Sequence, residues 1–120
     1  MVTAEELRQF AVTLPRHETH YIRDRMKFRV GRIVYVAFSR DEDTMGFGFP
    51  KEEREALCAA EPDKFFMPTG GDLRYQWCCA NLAALDLDEA RELVADAWMM
   101  CVPKFLQREY LERLRINGLP

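Results

Sequence analysis

The sequence predicts an α+β fold in which an antiparallel sheet packs against helices from both ends of the chain. Three observations lead to this fold class. Thr3-Ala-Glu-Glu6 has the pattern of a capping box, which opens a helix. Residues 22–50 contain runs of β-forming residues separated by turn signals. A long apolar stripe at helical spacing follows Asp86. Because the strands are grouped between helices, we predict one α+β domain over residues 1–120.

The first helix is predicted from the residues that follow the capping box. Apolar side chains recur there at helical spacing, at Leu7, Phe10, Ala11 and Leu14. Pro15 cannot continue a helix, so we expect the helix to end there.

The first predicted strand of the meander, Ile22 to Val30, separates apolar from basic side chains. Successive side chains of a strand point to opposite faces of the sheet. One face carries Ile22, Met26, Phe28 and Val30, interrupted by Asp24. The other face carries Arg23, Arg25, Lys27 and Arg29.

Gly31-Arg32 is predicted to form the first hairpin turn. Glycine at the first central position suits a two-residue type II′ turn. That turn would place Val30 opposite Ile33 and Phe28 opposite Tyr35.

The next two strands differ in how their faces are composed. Ile33 to Phe38 is apolar on both faces, so we expect a central strand covered on both sides. Thr44 to Phe49 alternates, with Met45, Phe47 and Phe49 on one side and Gly46 and Gly48 on the other. Bare glycine on a strand face indicates close approach of a backbone or helix, or a ligand site.

The second half of the chain adds short elements and two helices. We expect a helix from Lys51 to Ala60, with Ala56, Leu57 and Ala60 inward. A strand is expected from Lys64 to Met67, followed by a loop from Pro68 to Asp72. A second strand is expected from Leu73 to Leu82. Asp86 or Asp88 can cap a helix whose inward stripe is Ala90, Leu93, Val94, Ala97, Trp98 and Cys101. Pro103 starts a last helix with Leu106, Tyr110 and Leu114 inward, and with Lys104, Arg108 and Arg115 on a common outer face.

Composition and cysteine usage predict a cytoplasmic protein. The chain is 48% hydrophobic and 31% charged, which is typical of a soluble globular domain. We find no leader pattern and no apolar run near the length of a membrane span, so no membrane association is expected. The four cysteines, Cys58, Cys78, Cys79 and Cys101, form no CxxC motif. They are expected to be reduced thiols, with Cys78 and Cys79 on opposite faces of a strand.

Charge is unevenly distributed along the chain. The net charge is −3 overall, but residues 1–40 carry +4, residues 41–100 carry −9 and residues 101–120 carry +2. A dipolar charge distribution is compatible with an anionic partner, whereas the acidic total counts against strong nonspecific DNA binding.

No catalytic or metal-binding constellation is predicted. His17-Glu-Thr-His20 is one residue short of the metalloprotease spacing and lies in a segment predicted to be extended, so the two histidines should point apart. We interpret them as surface histidines. Since no cysteine pairs with a histidine and Thr69-Gly-Gly71 is no phosphate-binding loop, we expect a protein that is not an enzyme and needs no cofactor.

The basic row is the candidate site. Together with Arg32 at the turn, its side chains could contact phosphates as a strand or wing. The alternative is that they form the solvated face of an outer strand, where long charged side chains discourage edge pairing.

Several short motifs occur in an order that resembles the MmcQ/YjbR family. They are Leu14-Pro15 followed by Glu18, Phe28-Arg-Val-Gly-Arg32 running into Ala37, Glu61-Pro-Asp-Lys-Phe65, Trp77, Leu82, Asp86-Leu-Asp-Glu-Ala90 and Pro103-Lys104. The set covers nearly the whole chain. The resemblance implies an α+β fold similar to CyaY, with an antiparallel sheet backed by helices.

The resemblance also implies a function, because family members are commonly described as DNA-binding through a double wing of β-hairpins. On this chain the implied contacts are Arg23, Arg25, Lys27, Arg29, Arg32, Lys104 and Arg108. The chain departs from a DNA-binding pattern at Asp41-Glu-Asp43, an acidic triplet in a hairpin loop that could serve as a wing and would repel phosphate. Iron handling, suggested by the likeness to CyaY, is a fold analogy alone, because the acidic first-helix ridge is reduced to Glu5 and Glu6.

We therefore predict a DNA-binding protein that contacts phosphates through the basic strand. The alternative hypothesis is a non-enzymatic module that binds a protein partner or a small molecule. Its site would be a groove beside Gly46 and Gly48 or around Trp77 and Trp98.

Overall fold

A six-stranded antiparallel sheet forms the centre of the structure, a computed structural model that describes residues 2–117. The strands are β1 (His17–Ile22), β2 (Arg25–Val30), β3 (Ile33–Phe38), β4 (Thr44–Gly48), β5 (Phe65–Phe66) and β6 (Trp77–Asn81). The helices are α1 (Ala4–Ala11), α2 (Arg54–Ala60), α3 (Leu87–Met99) and α4 (Lys104–Asn117). The strand order across the sheet is β1-β2-β3-β4-β6-β5. The predicted α+β architecture is confirmed.

The helix starts follow the predicted capping residues. Thr3 accepts a hydrogen bond from the backbone N–H of Glu6, whose carboxylate accepts one from the N–H of Thr3 in return. Asp86 Oδ1 accepts from the N–H of Glu89, 2.8 Å away, and so caps α3. The first helix ends at Ala11, before Pro15, because the chain turns over residues 12–16.

The predicted first strand is divided in two, which corrects its start. Arg23 and Asp24 have φ of 53° and 64° and form the tight turn between β1 and β2. Two successive residues with positive φ suit the right-handed twist of a two-residue hairpin, and Asp tolerates this conformation. Ile22 therefore ends β1, and Arg23 is not part of the basic row of β2. The Asp24 that interrupts the apolar pattern marks this turn.

A β-bulge changes the predicted register of β2 and β3. Val30 pairs with Ile33, as the Gly31-Arg32 turn predicts, and φ is +59° at Gly31. Phe28, however, pairs with Val36 and not with Tyr35, because Tyr35 is an extra residue on β3. The bulge lets Tyr35 and Val36 both point into the core. This accounts for the apolar composition of β3.

The two faces of the sheet have different coverings. Helices α1 and α3 contact each other, and α3 packs on β3 and β4 over one face, which we call the core face. Fully or almost fully buried side chains fill it, among them Met26, Phe28, Val36, Phe38, Met45, Phe47, Cys78 and Ala80. The opposite face, which we call the open face, has half-buried or exposed side chains on β1, β2 and β3. Thus β3 is central, as predicted, but only one of its faces is covered.

Helix α2 and strand β6 are shorter than predicted. Helix α2 begins at Arg54, and this arginine is its buried residue, whereas Ala56 and Ala60 are exposed. The cause is that Arg54 points at backbone carbonyls and not at an apolar surface. Strand β6 begins at Trp77, because residues 70–74 form a 3-10 turn.

The predicted core of the C-terminal helices is confirmed. Ala90, Val94, Ala97 and Trp98 of α3 are buried, and so are Leu106 and Tyr110 of α4. The Trp98 indole packs on the Tyr110 ring, with ring centroids 5.4 Å apart, and its Nε1 donates to Pro15 O at 2.8 Å. Helix α4 therefore packs against α3, on the side of the molecule away from the open face, which we call the helical side. No helix within residues 2–117 combines the length and apolarity needed to cross a bilayer.

Candidate functional site

A groove of about 570 Å³ crosses the open face of the sheet. Its floor is a row of small residues that face each other across three strands: Ala37 pairs with Gly46, and Gly46 pairs with Cys79. Lys27 is the next residue in this row, since it pairs with Ala37. Small side chains in the middle of a sheet and longer ones at both ends give the surface its concave shape.

Strand β2 supplies the basic wall of the groove. Arg25 and Lys27 both line it, and Arg25 is exposed. They lie on one face because they are two residues apart on the same strand. Arg29 has the same orientation but is half-buried beside Val34, outside the groove lining. Two of the predicted basic residues are thus brought together in the groove.

The opposite wall is aromatic. Trp77 and Tyr75 line it, and 56% of Tyr75 is exposed. The Trp77 indole lies against the bare backbone of Gly46: a Cβ built there would be 2.6 Å from Nε1 and 2.7 Å from Cζ2. Gly48 instead has Ala97 of α3 as its neighbour, at 3.5 Å. Both glycines are explained by packing, but against different partners on different sides of the sheet.

Buried Arg54 holds the aromatic wall in place. Its guanidinium Nη1 donates to Tyr75 O at 2.9 Å and to Trp77 O at 3.0 Å, and Nη2 donates to Leu73 O. Hydrogen bonds from a buried charged donor are stronger than neutral ones. Three carbonyls of the segment that enters β6 are thereby fixed by one side chain, which is 5% exposed.

The basic side chains of the open face have no ion-pair partner among residues 2–117. This holds for Arg25, Lys27 and Arg29. Acidic groups are nevertheless close: Asp72 lines the aromatic side of the groove, and Glu18 faces Arg29 across the strands. The groove therefore has a basic wall and a mixed aromatic and acidic wall.

The other predicted contacts lie elsewhere. Arg23 and Arg32 are exposed in turns at opposite ends of β2, roughly 20 Å apart along the strand. Lys104 and Arg108 are exposed on α4, on the helical side of the molecule. The structure does not join these α4 residues with Arg25 and Lys27 in one patch.

The histidines point apart on β1, as predicted, but only His20 is a surface group. His17 is half-buried on the core face, where Nδ1 lies 2.6 Å from Tyr35 Oη and Nε2 lies 2.6 Å from Thr19 Oγ1. Desolvation lowers the pKa of His17 to about 4. Within the part of the chain that the structure describes, no three His, Cys, Asp or Glu side chains are grouped so that they could hold a metal ion.

The cysteines divide between the two faces as predicted. Cys78 is buried in the core face, with its Sγ 3.9 Å from Sγ of Cys58 on α2, and the two are free thiols. Cys79 forms part of the groove floor. Burial, assisted by the negative charge of Asp72, raises the pKa of the Cys79 thiol to about 11. This thiol is protonated at neutral pH and is a poor nucleophile.

Two important residues were not recognised in the sequence. Tyr75 falls in the predicted strand from Leu73 to Leu82, and Arg54 falls in the predicted helix from Lys51 to Ala60 but outside its inward set. A long basic side chain at the start of a short helix usually reaches solvent, and nothing in the local pattern distinguishes Arg54. The carbonyl groups that Arg54 contacts belong to residues 19 to 23 positions later in the chain. Local periodicity does not reveal contacts over such a separation.

Comparison with known proteins decides the family. A family model described as YjbR matches residues 12–100. The chain belongs to the YjbR family. The crystal structure of Deinococcus radiodurans protein DR2400, with a domain described as DUF419, superimposes with a TM-score of 0.73. The match covers 100% of this chain and 91% of that chain at 20% identity, which shows the fold. The search of curated proteins gave no match.

Proposed function

We propose that this YjbR-family protein binds DNA, with Arg25 and Lys27 on β2 contacting backbone phosphates. The observation that carries the proposal is the placement of both cations on one wall of an open groove, without a carboxylate partner among residues 2–117. Phosphate contacts made by Lys and Arg supply most of the sequence-independent affinity for nucleic acid.

The chemistry of the hairpin tips favours contact through the sheet face. The β3–β4 loop, at the same end of the sheet as Arg25, carries Asp41, Glu42 and Asp43. Hydrogen bonds from the Ser39 hydroxyl and the Asp43 N–H hold the pKa of the Asp41 carboxyl below its usual value, so it is ionised at neutral pH. A wing made of this loop would meet phosphates with like charge. The proposal therefore places DNA on the open face and not at this tip.

The proposed activity is binding without catalysis. The groove contains the Cys79 thiol, but its raised pKa keeps it protonated. His17, the half-buried histidine, points away from the groove into the core face. Neither group is placed to act as a nucleophile or a general base on a ligand in the groove.

A salt titration tests the proposal. We expect binding of a short labelled DNA to weaken as salt rises, and Arg25→Glu with Lys27→Glu to reduce affinity about tenfold or more and the salt slope by about two. The matched control is Lys104→Glu with Arg108→Glu, which makes the same change of charge on α4. If both double variants lose affinity equally, binding follows net charge and not the groove. Absence of binding at low salt overturns the proposal.

A second candidate function is binding of a small anionic aromatic ligand in the same groove. The groove volume of about 570 Å³ is in the range of small-molecule sites, and its walls offer cations and an indole. Quenching of Trp77 fluorescence by a metabolite at concentrations where DNA has no effect would favour this function.

A further inference from the structure

We infer that the groove accepts single-stranded DNA and selects it over duplex, with unpaired bases stacking on Tyr75 and Trp77 while Arg25 and Lys27 hold the phosphates. The inference rests on the proposed function and specifies the form of nucleic acid for that site. The inference depends on the aromatic wall, whereas the proposed phosphate contacts require only the basic wall.

The two aromatic side chains differ in exposure to a ligand, since Tyr75 is exposed and Trp77 is half-buried. Tyr75 is 56% exposed, and neither Tyr75 Oη nor Trp77 Nε1 has a hydrogen-bond partner within residues 2–117. The Arg74 guanidinium lies 5.4 Å from the centre of the Tyr75 ring and adds a cation beside it. Phe66, which pairs with Cys79 and is 42% exposed, extends the same face. Exposed aromatic rings next to cations are the combination that single-strand binding proteins use.

The aromatic wall is preorganised. Arg54 fixes the carbonyls of Leu73, Tyr75 and Trp77, and the Trp77 indole is held against Gly46. A ring that is already held in place loses little conformational entropy when a base stacks on it.

The width of the groove matches a flexible strand laid across the sheet. Strands β2 and β6 are three strand positions apart, which places the basic and aromatic walls about 14 Å apart along the sheet. The floor between them consists of Ala37, Gly46 and Cys79, and the Trp77 indole lies on Gly46, so the aromatic wall extends toward β2. A backbone on the β2 side can thus direct its bases toward β6.

A duplex does not fit this surface as well. Base faces in a duplex are covered by their neighbours, so Tyr75 and Trp77 would have nothing to stack on. The major groove admits a protruding helix or a two-stranded ribbon, whereas β2 is flanked by β1 and β3 in a concave sheet. The acidic β3–β4 loop adjoins the groove-lining residues Ser39 and Thr44, and its negative charge would repel a second strand of phosphates.

The experiment compares three probes on the full chain: oligothymidylate of about 12 nucleotides, a duplex of the same length and an abasic oligomer of that length. We expect the single strand to bind about tenfold more tightly than either of the others, and to quench Trp77 emission. Trp98 is fully buried on the other side of the sheet and provides a constant emission background.

Substitutions separate stacking from charge. Tyr75→Ala should weaken single-strand binding about tenfold and leave abasic binding unchanged, whereas Tyr21→Ala, an exposed tyrosine on β1, should change neither. Trp77→Phe should abolish the quenching. If duplex and abasic probes bind as tightly as the single strand and no quenching occurs, the inference is wrong while the proposed function stands. If none of the probes binds at low salt, both are wrong.

Discussion

The core face and the open face of the sheet are formed by alternate residues of the same strands, but their side chains differ in size, burial and charge. On β2, Met26, Phe28 and Val30 are buried in the core face, while Arg25 and Lys27, which alternate with them, border a groove. The core face is filled with large apolar groups, and the middle of the open face has small ones. The contrast separates the positions of β2 that fill the core from the positions that border an open groove.

The largest effect is expected from shortening a core-face phenylalanine. Phe28 is fully buried against the rings of His17, Tyr35 and Phe38. Phe28→Ala should lower the free energy of unfolding by about 3–5 kcal/mol, because it leaves a cavity. Phe66→Ala, the same change on the open face, should cost less than about 1 kcal/mol. Urea denaturation measures both, and equal costs would contradict the assignment of the two faces.

The next effect concerns the two glycines of β4. A Cβ at position 46 would lie 2.6 Å from Trp77 Nε1, whereas one at position 48 would lie 3.5 Å from the Ala97 Cβ. Gly46→Ala should therefore displace the indole, shift Trp77 emission and lower the free energy of unfolding by about 1–3 kcal/mol. Gly48→Ala, the control in the same strand, should leave the emission unchanged. An unchanged emission in Gly46→Ala would show that Trp77 does not lie on this glycine.

The core face also predicts a pH dependence. The pKa of His17 is lowered to about 4 by burial, against an ordinary value of 6.5, so the folded state favours the neutral ring. As the pH falls, the His17 ring takes up a proton in the unfolded chain before it does so in the folded protein. The free energy of unfolding is therefore highest above pH 6.5 and declines as the pH falls toward 4. We expect a loss of about 1 kcal/mol between about pH 7.5 and pH 5, after allowing for solvent screening of a half-buried group. In His17→Gln this part of the pH dependence should be absent from urea denaturation curves.

The smallest effect is expected at the rim of the open face. Glu42→Asn with Asp43→Asn removes two negative charges from the β3–β4 loop and leaves Asp41, which bonds Ser39, in place. Asn also suits position 42, where φ is 61°. DNA affinity should rise about two- to fivefold at low salt, at roughly 0.5 kcal/mol for each exposed charge, and the gain should vanish at high salt. A gain in affinity that persists at high salt would mean that the two carboxylates do not weaken binding by electrostatic repulsion of the phosphates.

Local sequence patterns were sufficient for the helices and for most of the sheet. The capping box at Thr3, the Asp86 cap and the apolar stripe of α3 depend on residues three or four apart, so the sequence itself reveals them. The ordered motifs that resemble the YjbR family are confirmed by the family match over residues 12–100.

The details that shape the groove depend on longer-range contacts. The bulge at Tyr35 is stabilised by the core, where Tyr35 meets His17, eighteen residues earlier in the chain. The aromatic wall depends on Arg54, whose carbonyl partners lie in a segment without strand or helix periodicity. The basic row was found, because alternation along β2 is a local pattern. Gly46 and Trp77 belong to a separate candidate groove in the sequence, and their position opposite the basic row is not predicted, since strand order cannot be read from alternation.

The most direct test of a DNA site on the open face is a map of backbone amide chemical shifts during titration with oligothymidylate. We predict that the largest changes occur at Lys27, Ala37, Gly46 and Cys79, the row that crosses the groove, and at Tyr75 and Trp77. Amides of α4 around Lys104 and Arg108 should remain unchanged. Changes concentrated on α4 or on the β3–β4 loop, with the row across the sheet unaffected, would contradict the account.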